Sequence, residues 1–376
     1  MVPPRRQGKA VRQLVRRYII DPSNPAVLRH IEKILRVSAD EWGYEFFKVD
    51  GTSANNPDYS SVFYERADVR AAFSRKCDNP MQVLTRNIRK GIGPDALLLW
   101  CCGDPAGPDV ETGDAARIGA DVVSRDHAPT WNNYTDQARM TLVHLLHNNI
   151  QWFNDPDTLL VGTYAPLETA RLATTVVGLP GQTMIAGDKL AELPDERMWL
   201  LQRCLPVCPT RPLDLFPIHD LKAIWDLKVS RPFAQWDVLS VFNWDESKRA
   251  DVEVQFEEIG LDPAEQYLVF DFWNRKFIGV KKAGMSVSLA PHSNALLALH
   301  KKLERPQFLS TDRHISQGGT SLREMKWAEK QNTLTGKVEL VGGEKTAMYV
   351  YVPKDWTHLK TSAAGTPVES TMKTRN

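Results

Sequence analysis

Residues 46–51 read Phe46-Phe47-Lys48-Val49-Asp50-Gly51, a short apolar run that stops at a lysine and an aspartate and then turns on a glycine. Helical patterns flank it on both sides. A buried parallel strand of an α/β barrel has this form, with chemistry at its C-terminal end. Strand side chains alternate, so Lys48 and Asp50 share a face and are expected to point into a barrel mouth. An aspartate beside a lysine stays ionised at neutral pH, as a carboxylate nucleophile requires. The same six residues are also compatible with a strand-end salt bridge that closes a turn.

The pattern continues outward. Asp21-Pro22-Ser23-Asn24-Pro25 is a helix-start signal, and Ala26 to Trp42 reads as an amphipathic helix with Val27, Ile31, Ile34 and Leu35 on one face. Residues 57–92 are helical, with Gly91 and Gly93 expected to end the helix. Ala96–Cys102 is a second buried strand, and Ala116–Val123 a shorter one with a charge at each shoulder. A helix over Tyr134–Asn149, a strand near Gln151–Phe153, the turn Asn154-Asp155-Pro156-Asp157 and the apolar Leu159–Gly162 follow. Then come a helix over Glu168–Val177, a strand at Met184–Ala186 and a helix over Leu190–Leu205. Strand and helix alternate five times, the rhythm of the later part of an α/β barrel.

From about Pro209 the pattern changes to short alternating runs, among them Trp236–Trp244, Ala250–Phe256, Gln266–Trp273 and Ala347–Pro353. These describe an all-β sandwich. The expected fold class is therefore α/β plus all-β, the C-terminal part (about five βα units) of a (β/α)8 barrel followed by an antiparallel β-sandwich. The boundaries fall at 1–208 for the partial barrel, 209–355 for the sandwich and 356–376 for a Thr/Ser/Lys-rich tail expected to be disordered.

Composition narrows the function. The 376 residues carry a net charge of +1, which gives no electrostatic case for nucleic acid or an anionic membrane. No apolar run of about 18 residues is present, and the N-terminal residues lack the apolar core of a secretory signal. The five cysteines are odd in number and lack zinc-type spacing, so the thiols read as reduced and the chain, as given, as cytoplasmic. No metal or nucleotide motif appears, and no cofactor is implied. His127 and His147 read as lone histidines near helices.

Several segments, in order, resemble the α-galactosidase (melibiase) clan, glycoside hydrolase families 27 and 36, and family 36 most of all. Lys48-Val49-Asp50 resembles the clan's Lys-x-Asp, and residues 21–50 resemble the approach to that strand. Trp100–Pro105 resembles a Cys-containing substrate loop, and Arg117–Asp121 the Arg-x-x-x-Asp motif. Asn154–Gly162 resembles the Asn-Asp-Pro-Asp signature, and Ala186–Leu193 the eighth-strand region, with Gly187 where Ser or Asp is usual. The clan's first three strands have no counterpart in the chain, which implies either a shortened form or a degraded paralogue.

The resemblance implies a retaining glycosidase acting on terminal α-galactosides, with an oligosaccharide or glycoside as its partner. Asp50 would be the nucleophile and Asp121 the acid/base, at the ends of strands two apart in the barrel. Lys48, Arg117, Cys102 and Asp104 would bind substrate. Read from spacing alone, Arg117 and Asp121 are equally an i,i+4 ion pair, Cys102 a core thiol and Asp104 a turn residue. Asp155 and Asp157 read as turn-forming, one of them orienting Lys48 or Arg117. Trp100 and Trp152 read as core. Two alternative readings remain open, a non-catalytic remnant and a galactosyltransferase like raffinose or stachyose synthase. Open barrel edges would invite self-association.

Overall fold

The computed structural model describes residues 19–51, 60–101, 106–122, 128–209, 221–364 and 366–372. The chain divides into two compact units, Met1–Asp114 and Ala115–Asn376. Cys102, Asp104 and His127 lie outside the described residues.

In the first unit, helix α1 (Pro25–Arg36) starts where Asn24 accepts the Ala26 amide, with Pro25 at the first helical position. The helix continues as a π-helical turn, Val37–Glu41, to Trp42. Ile31 and Leu35 face the core, whereas Ile34, expected on the same face, is exposed. Strand β1 (Phe46–Val49) pairs in parallel with β2 (Leu97–Trp100), Phe46 opposite Leu97 and Val49 opposite Trp100. Between them lie the short helices α2 (Ser60–Glu65) and α3 (Ala67–Ala71) and the longer α4 (Pro80–Ile92). Leu84, Ile88 and Ile92, spaced at four residues, put one face of α4 against Leu98 and Trp100. Gly93 caps α4 with φ +84°, but Gly91 lies inside the helix rather than ending it. A Cβ there would come within 2.8 Å of Leu35 Cβ, so the glycine lets α1 and α4 touch. A one-turn helix, α5 (Asp109–Thr112), precedes the end of the unit.

The second unit opens with β3 (Ala115–Arg117), parallel to β4 (Phe153–Asp155), with Arg117 opposite Asp155. Helix α6 (Trp131–Val143) connects them, its start fixed by reciprocal bonds between Thr130 and Asn133. Strand β5 (Thr158–Leu159) pairs in parallel with β6 (Ile185–Ala186) across helix α7 (Leu167–Gly178). Helix α8 (Asp195–Gln202) follows. Nine of the twelve residues of α7 are buried, with Glu168 and Arg171 left as an ion pair on the outer side of its first turn.

The covering comes from a seven-stranded antiparallel sheet ordered β7-β8-β13-β10-β11-β12-β9. Its strands are β7 (Ile224–Arg231), β8 (Ala234–Asn243), β9 (Ala250–Gln255), β10 (Gln266–Asp271), β11 (Lys276–Lys282), β12 (Gly284–Leu289) and β13 (Ser293–Lys301). Strands β8 and β13 are buried on both faces. Trp225, Trp236, Phe242 and Leu296 pack with α6, α7 and α8, while Leu239, Val241, Leu297 and Leu299 form a second core on the other side. The barrel-type segment and the sandwich of this unit thus share one continuous core. Two further antiparallel pairs, β14 (Gln307–Thr311) with β17 (Met348–Tyr351) and β15 (Leu322–Ala328) with β16 (Thr333–Val338), complete the β region. The tail expected to be disordered carries a two-rung ladder, β18 (Ser362–Ala363) with β19 (Thr366–Pro367).

Between β14 and β15, residues 312–321 are all buried despite their polar composition. Ile315 N–H donates to the Arg203 carbonyl at 3.0 Å, and Arg313 Nη1 to the Leu205 carbonyl at 2.9 Å. Arg203, itself buried, returns a bond to the Asp312 carbonyl at 2.6 Å and pairs with Glu344. The backbone groups of a buried loop need partners: the end of α8 serves the Ile315 amide and the Asp312 carbonyl, Ala347 accepts the Asp312 amide, and the Gln317 and Gly319 amides bond His314 and Ser316 within the loop.

Candidate active site

Strand β1 keeps the expected parity but not the expected burial. Phe47 and Val49 pack on the first unit's core, and Phe46, Lys48 and Asp50 occupy the exposed face. The strand is covered on one side, not two. Asp50 accepts the amide of the next residue, Gly51, at 2.6 Å, and Gly51 takes the left-handed φ of +84°. Trp100 is fully buried, as its reading as core requires.

The second cluster lies in the other unit. Strand β3 ends at Arg117, so Asp121 sits in the following loop rather than in a strand of 116–123. Arg117 is 4% exposed and Asp121 83% exposed, yet the guanidinium reaches Asp121 Oδ1 at 3.0 Å. The same guanidinium contacts Asp157 Oδ2 at 2.7 Å. That oxygen also accepts the Val122 amide at 2.7 Å, so one carboxylate ties the base of the Asp121 loop to the arginine. Asp157 is placed by the turn itself. It adopts φ +73°, and its amide donates to Asp155 Oδ1 at 2.8 Å. Asn and Asp tolerate this left-handed backbone better than other side chains. Asp155 is buried, and its carbonyl accepts the Ile118 amide at 3.0 Å.

The rest of the turn is equally satisfied. Asn154 accepts from Trp152 Nε1 at 3.2 Å and donates to the His144 carbonyl at 2.9 Å, and Gln137 donates to the Pro156 carbonyl at 2.9 Å. Trp152 is buried within this network.

Beyond β5 and β6, Asp188 accepts the Val161 amide and the Tyr164 hydroxyl, both at 2.7 Å. Burial and then this bond to a carboxylate push the Tyr164 phenol well above its ordinary range. Burial does the same to Tyr134. The position of Gly187 has a steric cause, since a Cβ would come within 2.6 Å of Thr158 Cβ. Nothing in the sequence around Tyr164 singles it out, because its partner lies 24 residues away.

The structure therefore brings Arg117, Asp121, Asp155 and Asp157 together in the second unit, while Lys48 and Asp50 belong to the first. Two open clefts, of about 550 Å³ beside Tyr64, Arg70 and Glu111 and about 460 Å³ beside Arg249, Lys281 and Ser288, include none of these six residues. Cys77 and Cys204 are free thiols. Among the described residues, no helix is long and apolar enough to cross a membrane.

The described parallel strands alternate with helices and are followed by an antiparallel sandwich. Residues 230–299 match the alpha galactosidase C-terminal beta sandwich domain. The chain is similar to a family 27 β-L-arabinopyranosidase from Geobacillus stearothermophilus, with 18% identity and a TM-score of 0.57 over 76% of this chain and 64% of that one. It is similar to α-galactosidase I from Mortierella vinacea, with 16% identity and a TM-score of 0.50 over 72% of this chain and 71% of that one. It is also similar to an Arthrobacter globiformis isomalto-dextranase complexed with panose, with 16% identity and a TM-score of 0.50 over 77% of this chain and 51% of that one. The chain spans less than two thirds of the length of the arabinopyranosidase. No curated protein sequence matches it. At these identities the likeness establishes the fold, that of the later part of a (β/α)8 barrel joined to a β-sandwich.

Proposed function

We propose that this chain carries the catalytic pair of a retaining glycoside hydrolase of α-galactosidase type. The observation that carries the reading is the buried Arg117, held by Asp157 and reaching Asp121 in the Arg-x-x-x-Asp spacing. Asp50, ending β1, is the nucleophile. It attacks the anomeric carbon while Asp121 protonates the departing oxygen, giving a glycosyl ester. Water deprotonated by Asp121 then displaces Asp50 and restores both carboxyl groups. Lys48, on the same face as Asp50, meets sugar hydroxyls. Arg117 is shielded from solvent, so its role is to position Asp121 rather than to contact the sugar. Cys102 and Asp104 complete the substrate loop.

The substrate is a terminal α-galactoside. A β-L-arabinopyranoside, which has the same ring configuration without the exocyclic CH2OH, is the discriminating alternative, as is transfer of galactose to another sugar. The exposed row Trp42, Tyr44 and Phe46 beside β1 supports self-association. One observation favours a second, non-catalytic reading: a general acid needs a dry setting that keeps its proton, and Asp121 is largely exposed.

The test is turnover of an aryl α-galactoside and an aryl β-L-arabinopyranoside by the chain and by Asp50→Ala, with the product anomer followed by NMR. Retention of configuration, lost in Asp50→Ala, is the expected result. Sugar binding without turnover in the unmodified chain would favour the second reading, and turnover surviving in Asp50→Ala would overturn the assignment.

A further inference from the structure

The turn that leaves α6 brings two imidazoles edge to edge, their planes tilted by 56°. His144, the C-cap of α6, and His147 approach with their Nδ1 atoms 3.1 Å apart. The sequence reads His147 as solitary, but three residues of helical turn bring it onto His144. The surrounding turn is rigid. His147 N–H donates to the His144 carbonyl at 3.0 Å, and the amides of Ile150 and Gln151 return to the His147 carbonyl at 3.1 and 3.0 Å. Asn148, fully buried, bonds the Pro180 and Gly181 carbonyls at 3.1 Å and accepts the Asn154 amide at 3.0 Å. The His147 ring also meets Trp152 edge-on, with centroids 6.4 Å apart.

We propose that His144 and His147 form a two-nitrogen chelate for a borderline divalent cation, Ni²⁺, Cu²⁺ or Zn²⁺. Metal–imidazole bonds are about 2.0–2.1 Å, so nitrogens 3.1 Å apart subtend about 100° at the ion, between the octahedral and tetrahedral angles. In the metal-free protein one Nδ1 carries the hydrogen that bonds the other. On binding, that hydrogen moves to Nε2 of its own ring, so both lone pairs face the ion and no net proton is lost. Among the described residues, no group of three or more His, Cys, Asp or Glu converges anywhere in the chain, so water completes the coordination shell. An all-imidazole pair selects borderline ions over Mg²⁺ and Ca²⁺, which prefer oxygen. The pair precedes β4, whereas Asp155 and Asp157 lie at and beyond its far end, so the ion braces the α6–β4 turn and takes no part in glycoside chemistry.

Calorimetric titration of the full chain at pH 7.5 with Ni²⁺, Zn²⁺ and Cu²⁺ should show one site that His147→Asn weakens at least tenfold and that Mg²⁺ and Ca²⁺ do not fill. Independently of any variant, Cu²⁺ should quench Trp152 emission, since the indole lies against His147. Affinity unchanged in folded His147→Asn, or no quenching at saturating Cu²⁺, would overturn the proposal.

Discussion

His314 Nε2 donates to the Pro206 carbonyl at 2.9 Å, joining residues 108 positions apart in sequence. Its Nδ1 accepts the Ser316 amide at 3.0 Å, so the ring is fixed as the neutral Nε2–H tautomer. Burial, with the Arg313 and Arg203 cations nearby, lowers its pKa from 6.5 to about 4. His300, buried against the Leu309 carbonyl, is lowered to about 4 as well. Each ring binds its proton more weakly folded than unfolded, so stability is complete above pH 6.5 and declines as pH falls toward 4. A shift of that size is worth about 3 kcal/mol per ring. Urea denaturation between pH 7.5 and 4.5 should show the loss, and His314→Gln should flatten its slope. An equal slope in the variant would remove His314 from the account.

Removing Arg117 should cost far more than removing Asp121. Arg117→Ala leaves the nearly buried Asp157 carboxylate without its cation, a change of about 3 kcal/mol or more, whereas Asp121 is largely exposed and its loss should stay below about 1 kcal/mol. Chemical denaturation measures both. A cost above 2 kcal/mol for Asp121→Ala, on this scale of about 1 kcal/mol for exposed pairs, would make the Asp121 contact structural.

Asp121→Ala should show leaving-group dependence in catalysis. Aryl glycosides with acidic phenols need no protonation, so their first step should survive while alkyl galactosides lose turnover by about 10²–10⁴-fold. A uniform loss across leaving groups would deny Asp121 the role of acid.

Gly91→Ala should destabilise, although alanine favours a helix interior by about 1 kcal/mol. The added methyl meets Leu35 Cβ at 2.8 Å and Glu32 Cα at 3.2 Å, neither able to swing aside, and such overpacking costs about 1–3 kcal/mol. A raised Tm in the variant would show that α1 yields easily.

Residues 221–353 expressed alone should not form a cooperative fold. Composition suggests a separable sandwich released by cleavage near 207–212, of which residues 210–212 lie outside those described. The shared core argues otherwise, because the fragment would expose the faces of Trp225, Trp236, Phe272 and Leu296 that α7 and α8 cover. A sharp thermal melt of the fragment would contradict this.

The strand at 46–49 was legible because alternation is geometric, and the parity of Lys48 and Asp50 follows from it. Its burial was not legible, since that depends on what lies against each face. The four alternating runs quoted for the β region fall on the strands β8, β9, β10 and β17, but β7, with Asp226 and Lys228 inside it, escapes a reading based on apolar alternation. There Lys228 contacts Asp226 at 2.7 Å, pairs with Asp237 across the ladder and donates to the Ile259 carbonyl at 2.5 Å, which is how a strand tolerates those charges. Residues 312–321 look like a solvated loop for a related reason, because the carbonyls that satisfy Arg313, His314 and Ile315 come from residues 203–206, more than 100 positions away. The Arg117–Asp121 spacing was visible. The third partner, Asp157, depends on a left-handed backbone that Asn-Asp-Pro-Asp permits but does not announce.

The hydrogen bond from Asn294 to Thr175, 3.0 Å long, sets a timetable for synthesis. The burial of helix α7 is completed only when β13 arrives, its Asn294 lying 119 residues after Thr175. At about 5–20 residues per second, a ribosome needs roughly 6–24 s to deliver that strand. Throughout that interval the nascent helix presents Leu172, Val176 and Leu179 to the cytosol or lumen without their cover. Expression yield should therefore depend on chaperone supply and translation speed, and a cluster of slow codons between positions 180 and 290 would lengthen the exposure.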